Sequence, residues 1–243
     1  MMLLLLFAIV IVICILAHPG RREMFDKAVL LGGEHVVSIS RGMGAGQGGK
    51  PFFRTLPFAP RMSATVRFAI RFDPNFDYGC KGKIGGFQIG DEPSTGGQHS
   101  RNGSSFRLMW DSKGGAYMYI YVPLGSQPFQ KYAALRAPPT SQGINMFEKG
   151  YAGALSPGSW HAVEMGVALN TFEWRVIRGR RILAPRPDGV ITMRVGGKGH
   201  TLNGVVMRMS PRILLDRFVF NVFHGGPCVA SKDMTLAIRD VQI

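Results

Sequence analysis

The feature that most constrains this chain is a strict alternation of apolar and polar side chains in three separate runs. In residues 64–72, Val66, Phe68, Ile70 and Phe72 fall on one side, with Thr65, Arg67 and Arg71 on the other. In residues 104–110, Phe106, Leu108 and Trp110 oppose Ser105 and Arg107, and in residues 117–122, Met118, Ile120 and Val122 oppose Tyr117, Tyr119 and Tyr121. A period of two marks a strand with one buried face, because successive side chains of an extended backbone point to opposite sides. Asp111-Ser112-Lys113-Gly114-Gly115 separates the last two runs, so they are expected to pair as a hairpin. If their apolar faces share one core, then Ser105, Arg107 and the three tyrosines share the opposite face. That is an unusual set of groups for a surface that only meets water. Tyrosine also favours half-buried pleated surfaces for packing reasons alone, and an arginine opposite a tyrosine is an ordinary cross-strand pair. Both readings stay open on these strands alone.

Further strands are expected within residues 29–40, at 160–169 with Val163, Met165, Val167 and Leu169 inward, and at 172–182, 189–195, 212–223 and 234–243. Residues 125–158 read as a loop-rich region. No amphipathic helix is evident after the first residues, and 32 glycines and 15 prolines supply the turns between many short strands. The expected architecture is all-β, a sandwich or jelly roll. It is expected to occupy residues 28–243, after an apolar segment at 1–17 and a linker at 18–27. The apolar segment is short for a membrane span and suits a signal peptide. No positive charge precedes it and Arg21-Arg22 follows it, which an uncleaved N-terminal anchor would also show. A secreted or extracellular protein, and a monomer, is therefore expected, with a membrane-anchored or virion-envelope protein as the alternative. Cys80 and Cys228 either pair or stand as free thiols, since spacing cannot show proximity.

The chain carries 29 Lys and Arg against 15 Asp and Glu, a formal charge of +14 spread along its length. Such an excess favours a polyanionic partner. No nucleic-acid-binding motif is present, and a nucleic acid is not the expected partner. The glycine-rich stretch 44–50 nearly spells a phosphate-binding loop, but Pro51 stands where Ser or Thr is required. There is no Gly-x-Ser-x-Gly elbow and no metal-ligand spacing, so neither metal nor cofactor is expected. The few acidic residues disfavour a two-carboxylate hydrolase.

Several segments, taken in order, resemble polysaccharide lyase family 14, the alginate and glucuronan lyases. Phe72-Asp73-Pro74-Asn75-Phe76-Asp77 followed by Gly82-Lys83-Ile84-Gly85-Gly86-Phe87 is similar to the family's F-x-x-x-F-D and G-G-K-L-P-G-L segments. Ser105-x-Arg107-x-x-Trp110, Tyr119-x-Tyr121-x-Pro123, the Trp160–Thr171 region and Phe223-His224-Gly225-Gly226 are similar to its S-x-R-x-x-W, Y-x-Y-x-P, G-x-W…N-T and F-F-G-G segments. The resemblance implies a jelly roll of two antiparallel sheets around an open cleft. It also implies that Lys83, Ser105, Arg107, Tyr119 and Tyr121 form the active site. Lys81, Gly85 and His224 depart from the pattern, which bears on loop shape and subsite preference.

What the resemblance implies chemically is β-elimination on a polyuronate such as alginate or glucuronan. Such a reaction removes the C5 proton beside a carboxylate and expels the C4 oxygen. A cation must neutralise the carboxylate, and a planar guanidinium does so bidentately. Arg107 and Lys83 are expected to supply charge, and Tyr119, Tyr121 and Lys83 to move protons. Ser105, Lys81, Tyr117 and His224 are expected to bind the sugar chain. His99 is a weaker candidate for lining the cleft. The competing expectation is a non-catalytic jelly roll that binds an acidic glycan, associated with a membrane or virion.

Overall fold

The computed structural model describes residues 33–44, 52–90, 100, 102–123, 144–225 and 228–243, with backbone alone for 52–53 and 144–151. The expected leader and linker, most of the 44–50 loop, and His99 lie outside the described residues. The strands in chain order are β1 (His35–Ile39), β2 (Phe52–Arg61), β3 (Ser63–Phe72), β4 (Lys81–Ile89), β5 (Ser104–Asp111), β6 (Gly115–Tyr121), β7 (Ile144–Ala154), β8 (Trp160–Ala168), β9 (Phe172–Ile177), β10 (Arg180–Pro185), β11 (Gly189–Val195), β12 (Lys198–Val205), β13 (Leu215–Gly225) and β14 (Met234–Gln242). One six-stranded sheet runs β1-β14-β3-β8-β11-β12 and the other β2-β13-β4-β5-β6-β7, with β9 and β10 forming a separate hairpin. Every pairing is antiparallel. This is the jelly-roll sandwich expected from the alternation.

The two inner faces make one core. Val66, Phe68, Ile70 and Phe72 of β3 are buried against the second sheet. The Phe68 ring meets Phe220 at 5.1 Å, and Phe72 meets Trp110 edge-on at 5.5 Å. Such edge-to-face pairs contribute roughly 0.5–1.5 kcal/mol each beyond their burial.

Six strands escape the alternation argument. β2 carries Pro57 and Pro60, which only an edge strand tolerates, and it lies at the edge of its sheet. β4 has a bulge between Lys83 and Gly85 that breaks its period. β7 occupies part of the region read as loop-rich, and it pairs with β6 through two register shifts. The expected strand at 172–182 is two strands, β9 and β10, turned at Arg178-Gly179. β12 buries only Leu202 and Val205.

Cys80 and Cys228 form a disulfide, with Cα atoms 5.7 Å apart and a sequence separation of 148. The bridge ties the start of β4 to the segment after β13, and these two strands pair. Reduction, or replacement of both cysteines by serine, is expected to lower stability by about 2–5 kcal/mol. For a domain of this size that is roughly a 5–15 °C fall in the melting temperature by calorimetry.

Candidate active site

The site grows from the register of four strands. On β5 and β6, Ser105 pairs with Tyr121, Arg107 with Tyr119 and Met109 with Tyr117. On β4, Gly86 pairs with Arg107 and Lys83 with Met109, while Phe223 of β13 pairs with Lys83. Phe106, Leu108, Trp110, Met118, Ile120 and Val122 belong to the core. Lys83, Ser105, Arg107, Tyr117, Tyr119 and Tyr121 therefore stand together on the other face. Arg107 occupies the strand between Lys83 and the tyrosines.

The bulge in β4 is what delivers Lys83 to this face. It puts both Ile84 and Phe87 into the core and leaves Lys83 and Gly86 facing outward. Gly85 and Gly86 permit the close strand approach. A Cβ on Gly85 would lie 2.5 Å from the Val219 carbonyl oxygen, and one on Gly86 would lie 1.8 Å from that of Phe106. Gly82 has the same role on the core side, where a Cβ would lie 1.8 Å from the Trp110 ring.

These side chains are buried as well as close. Arg107 is 3% exposed and Lys83 6%. Arg107 Nη1 donates to the Gly86 carbonyl at 3.2 Å, and no carboxylate among the described residues forms an ion pair with it. Burial pulls the guanidinium down to about 10, opposed by the nearby Tyr121 phenol. Burial, and then the Arg107 charge, bring Lys83 down to about 8. Its ammonium sits 4.8 Å from the centre of the Phe223 ring, a contact that sequence reading missed although Phe223 has the outward parity. The Tyr119 and Tyr121 hydroxyls are 3.0 Å apart and hydrogen bonded, and their rings meet edge-on at 5.2 Å. Burial first, and then this hydrogen bond, push the Tyr119 phenol well above its ordinary value. The set thus holds a fixed cation, an amine close to neutrality and a phenol that keeps its proton.

Lys81 lies two residues before Lys83 on β4, opposite Gly225 and Asp111, and is partly exposed. His224 is not brought to this face. It pairs with Gly82 in the row of Trp110, is fully buried, and its Nε2 lies 3.2 Å from the Asp77 carbonyl oxygen. The alternation Phe218, Phe220, Val222 carries His224 inward, so the expectation that it binds substrate is corrected here. Its ring fills space that Gly79 leaves open, since a Cβ there would lie 2.3 Å from it. Among the described residues no group of His, Cys, Asp and Glu could hold a metal.

Comparison with known proteins agrees with this fold. The chain is 26% identical over 216 residues to Exolysin of Paramecium bursaria Chlorella virus 1, covering 81% of this chain and 31% of the relative. It therefore spans about a third of that protein's length. Among solved structures, alginate lyase vAL-1 from Chlorella virus superposes with a TM-score of 0.71 at 28% identity, over 85% of this chain and 82% of that one. The marine PL-14 alginate lyase from Aplysia kurodai superposes at 0.68 with 19% identity, over 85% and 80%, a likeness of fold. The description Polysaccharide lyase 14 matches residues 37–233, and the chain belongs to that family.

Proposed function

We propose that this protein is a polysaccharide lyase that cleaves an acidic polyuronate by β-elimination. One observation carries the reading: Arg107 is buried with no acidic partner among the described residues. A buried unpaired cation is costly, and one beside a second buried cation more so. A uronate carboxylate supplies that missing anion. The names of the relatives, exolysin and alginate lyase, support the same class of chemistry.

The residues divide the reaction between them. The Arg107 fork grips the C5 carboxylate and spreads the charge that develops when the C5 proton leaves. Lys83, whose amine is partly neutral near pH 8, takes that proton as its free base. The electron pair forms the C4–C5 double bond as the C4–O4 bond breaks, and Tyr119 gives its proton to O4. Tyr121, hydrogen bonded to Tyr119, relays a solvent proton to it, and Lys83 releases the C5 proton to solvent, which resets the site. Ser105 and Tyr117 hold the sugar on either side of Arg107.

The test is ultraviolet absorbance with time on polymannuronate, polyguluronate and polyglucuronate, because each elimination leaves an absorbing unsaturated uronate. A rise on one polymer, lost in Tyr119→Phe, is the expected result and names the substrate. No rise on any of them at neutral to alkaline pH, together with tight binding to one, would make the protein a glycan-binding module instead.

A further inference from the structure

The β9–β10 hairpin leaves the sandwich between β8 and β11, two strands that pair with each other. Its turn, Arg178-Gly179, has φ of 51° and 71°. Positive φ at both central residues is the tight turn that matches strand twist. Its base is clamped. Asp188 accepts from the Thr171 amide and hydroxyl, the Arg186 amide donates to the Thr171 carbonyl, and Arg208 donates to the Asn170 carbonyl beneath the Phe172 ring. The hairpin therefore projects as a defined element.

What it projects is unlike the rest of the surface. Trp174 is 59% exposed and Val176 73%, and Ile177, Ile182 and Leu183 are exposed as well. Five arginines and one acid lie within residues 172–186. The one acid, Glu173, pairs with Arg175 and Arg186 at the base. Arg178, Arg180 and Arg181 have no acidic partner among the described residues, and Arg181 stacks on Trp174 at 4.7 Å. A two-stranded hairpin gains little stability from exposed aliphatic groups, and clustered exposed apolar groups mark a contact surface.

The combination selects one kind of surface. A polyuronate answers the arginines but has no alkyl groups to meet Val176, Ile177 and Ile182. A second copy would bring two sets of arginines together. A bilayer with anionic headgroups answers both, with phosphates for the guanidinium forks and acyl chains for the aliphatic residues. An open two-stranded ribbon cannot cross the hydrocarbon, because its edges would be unpaired, so it lies in the headgroup layer.

We propose that the β9–β10 hairpin docks this protein on an anionic membrane surface. The test is flotation of the full chain with phosphatidylcholine vesicles and with vesicles containing phosphatidylglycerol. Wild-type protein is expected to float with the second and not the first. Arg178→Glu/Arg180→Glu/Arg181→Glu is expected to weaken that partition about 100-fold or more. Val176→Ser/Ile177→Ser is expected to weaken it about 10-fold. Near-ultraviolet circular dichroism identical to wild type confirms that both variants are folded. Trp174 emission is expected to shift to the blue on phosphatidylglycerol vesicles, read as the difference from Trp174→Phe. Equal flotation of wild type and both variants, or flotation of none, overturns the proposal.

Discussion

Arg107→Met is expected to lower kcat/KM by at least about 10³-fold while leaving the protein as stable as wild type or more so. The first half follows from charge. Without the guanidinium, the carboxylate keeps its negative charge and the C5 proton stays weakly acidic. Loss of one preorganised donor to a developing oxyanion typically costs about 10²–10³-fold, and here the lost group is a full cation. The second half follows from burial. Arg107 is 3% exposed and, among the described residues, makes one hydrogen bond, to the Gly86 carbonyl. Well-packed apolar replacements of buried charges are often neutral or stabilising by about 1–4 kcal/mol. Arg107→Lys keeps the charge but loses the fork, and is expected to remain about 10²-fold impaired. Turnover and calorimetry on the same samples check both halves. A stable Arg107→Met enzyme with normal turnover refutes the role, and an unfolded one makes Arg107 a structural residue.

The legible and hidden parts of this molecule differ for physical reasons. β3, β5, β6 and β8 each bury one face and expose or functionalise the other, so period-two alternation identified them and put Ser105, Arg107 and three tyrosines on a common face. Lys83 was not legible this way. β4 reads Lys-Gly-Lys-Ile-Gly-Gly-Phe-Gln-Ile, both faces are largely buried, and the bulge at Ile84–Gly85 reverses the parity between Lys83 and Phe87. Only the family resemblance singled Lys83 out. His224 shows the opposite error, since its strand alternates cleanly and the parity alone would have sent it inward. The glycines of β4 serve close packing. Gly82 leaves room for Trp110, and Gly86 lets β4 approach β5 beside Arg107.

The pH profile carries the second large effect. Lys83 must be neutral to take a proton, so kcat/KM is expected to rise with pH to about 8 and then level off, while the Arg107 guanidinium keeps its charge. A bound uronate carboxylate favours the ammonium, so the rising limb of kcat is expected at higher pH than that of kcat/KM. Lys83→Met is expected to lower kcat by about 10²–10⁴-fold and abolish the limb. The same residue sets a stability signature with a definite sign. Its folded value of about 8 lies below that of a free lysine, near 10.4. Between these values the unfolded chain holds the extra proton, so wild-type stability rises with pH across that window. The full deficit, roughly 3 kcal/mol at most, is present below pH 8. Lys83→Met removes it, so the variant is expected to melt higher than wild type at pH 7, with the gap closing toward pH 10. A rising limb that survives in Lys83→Met assigns the base to Tyr121, and a gap that does not change with pH places Lys83 outside the buried site.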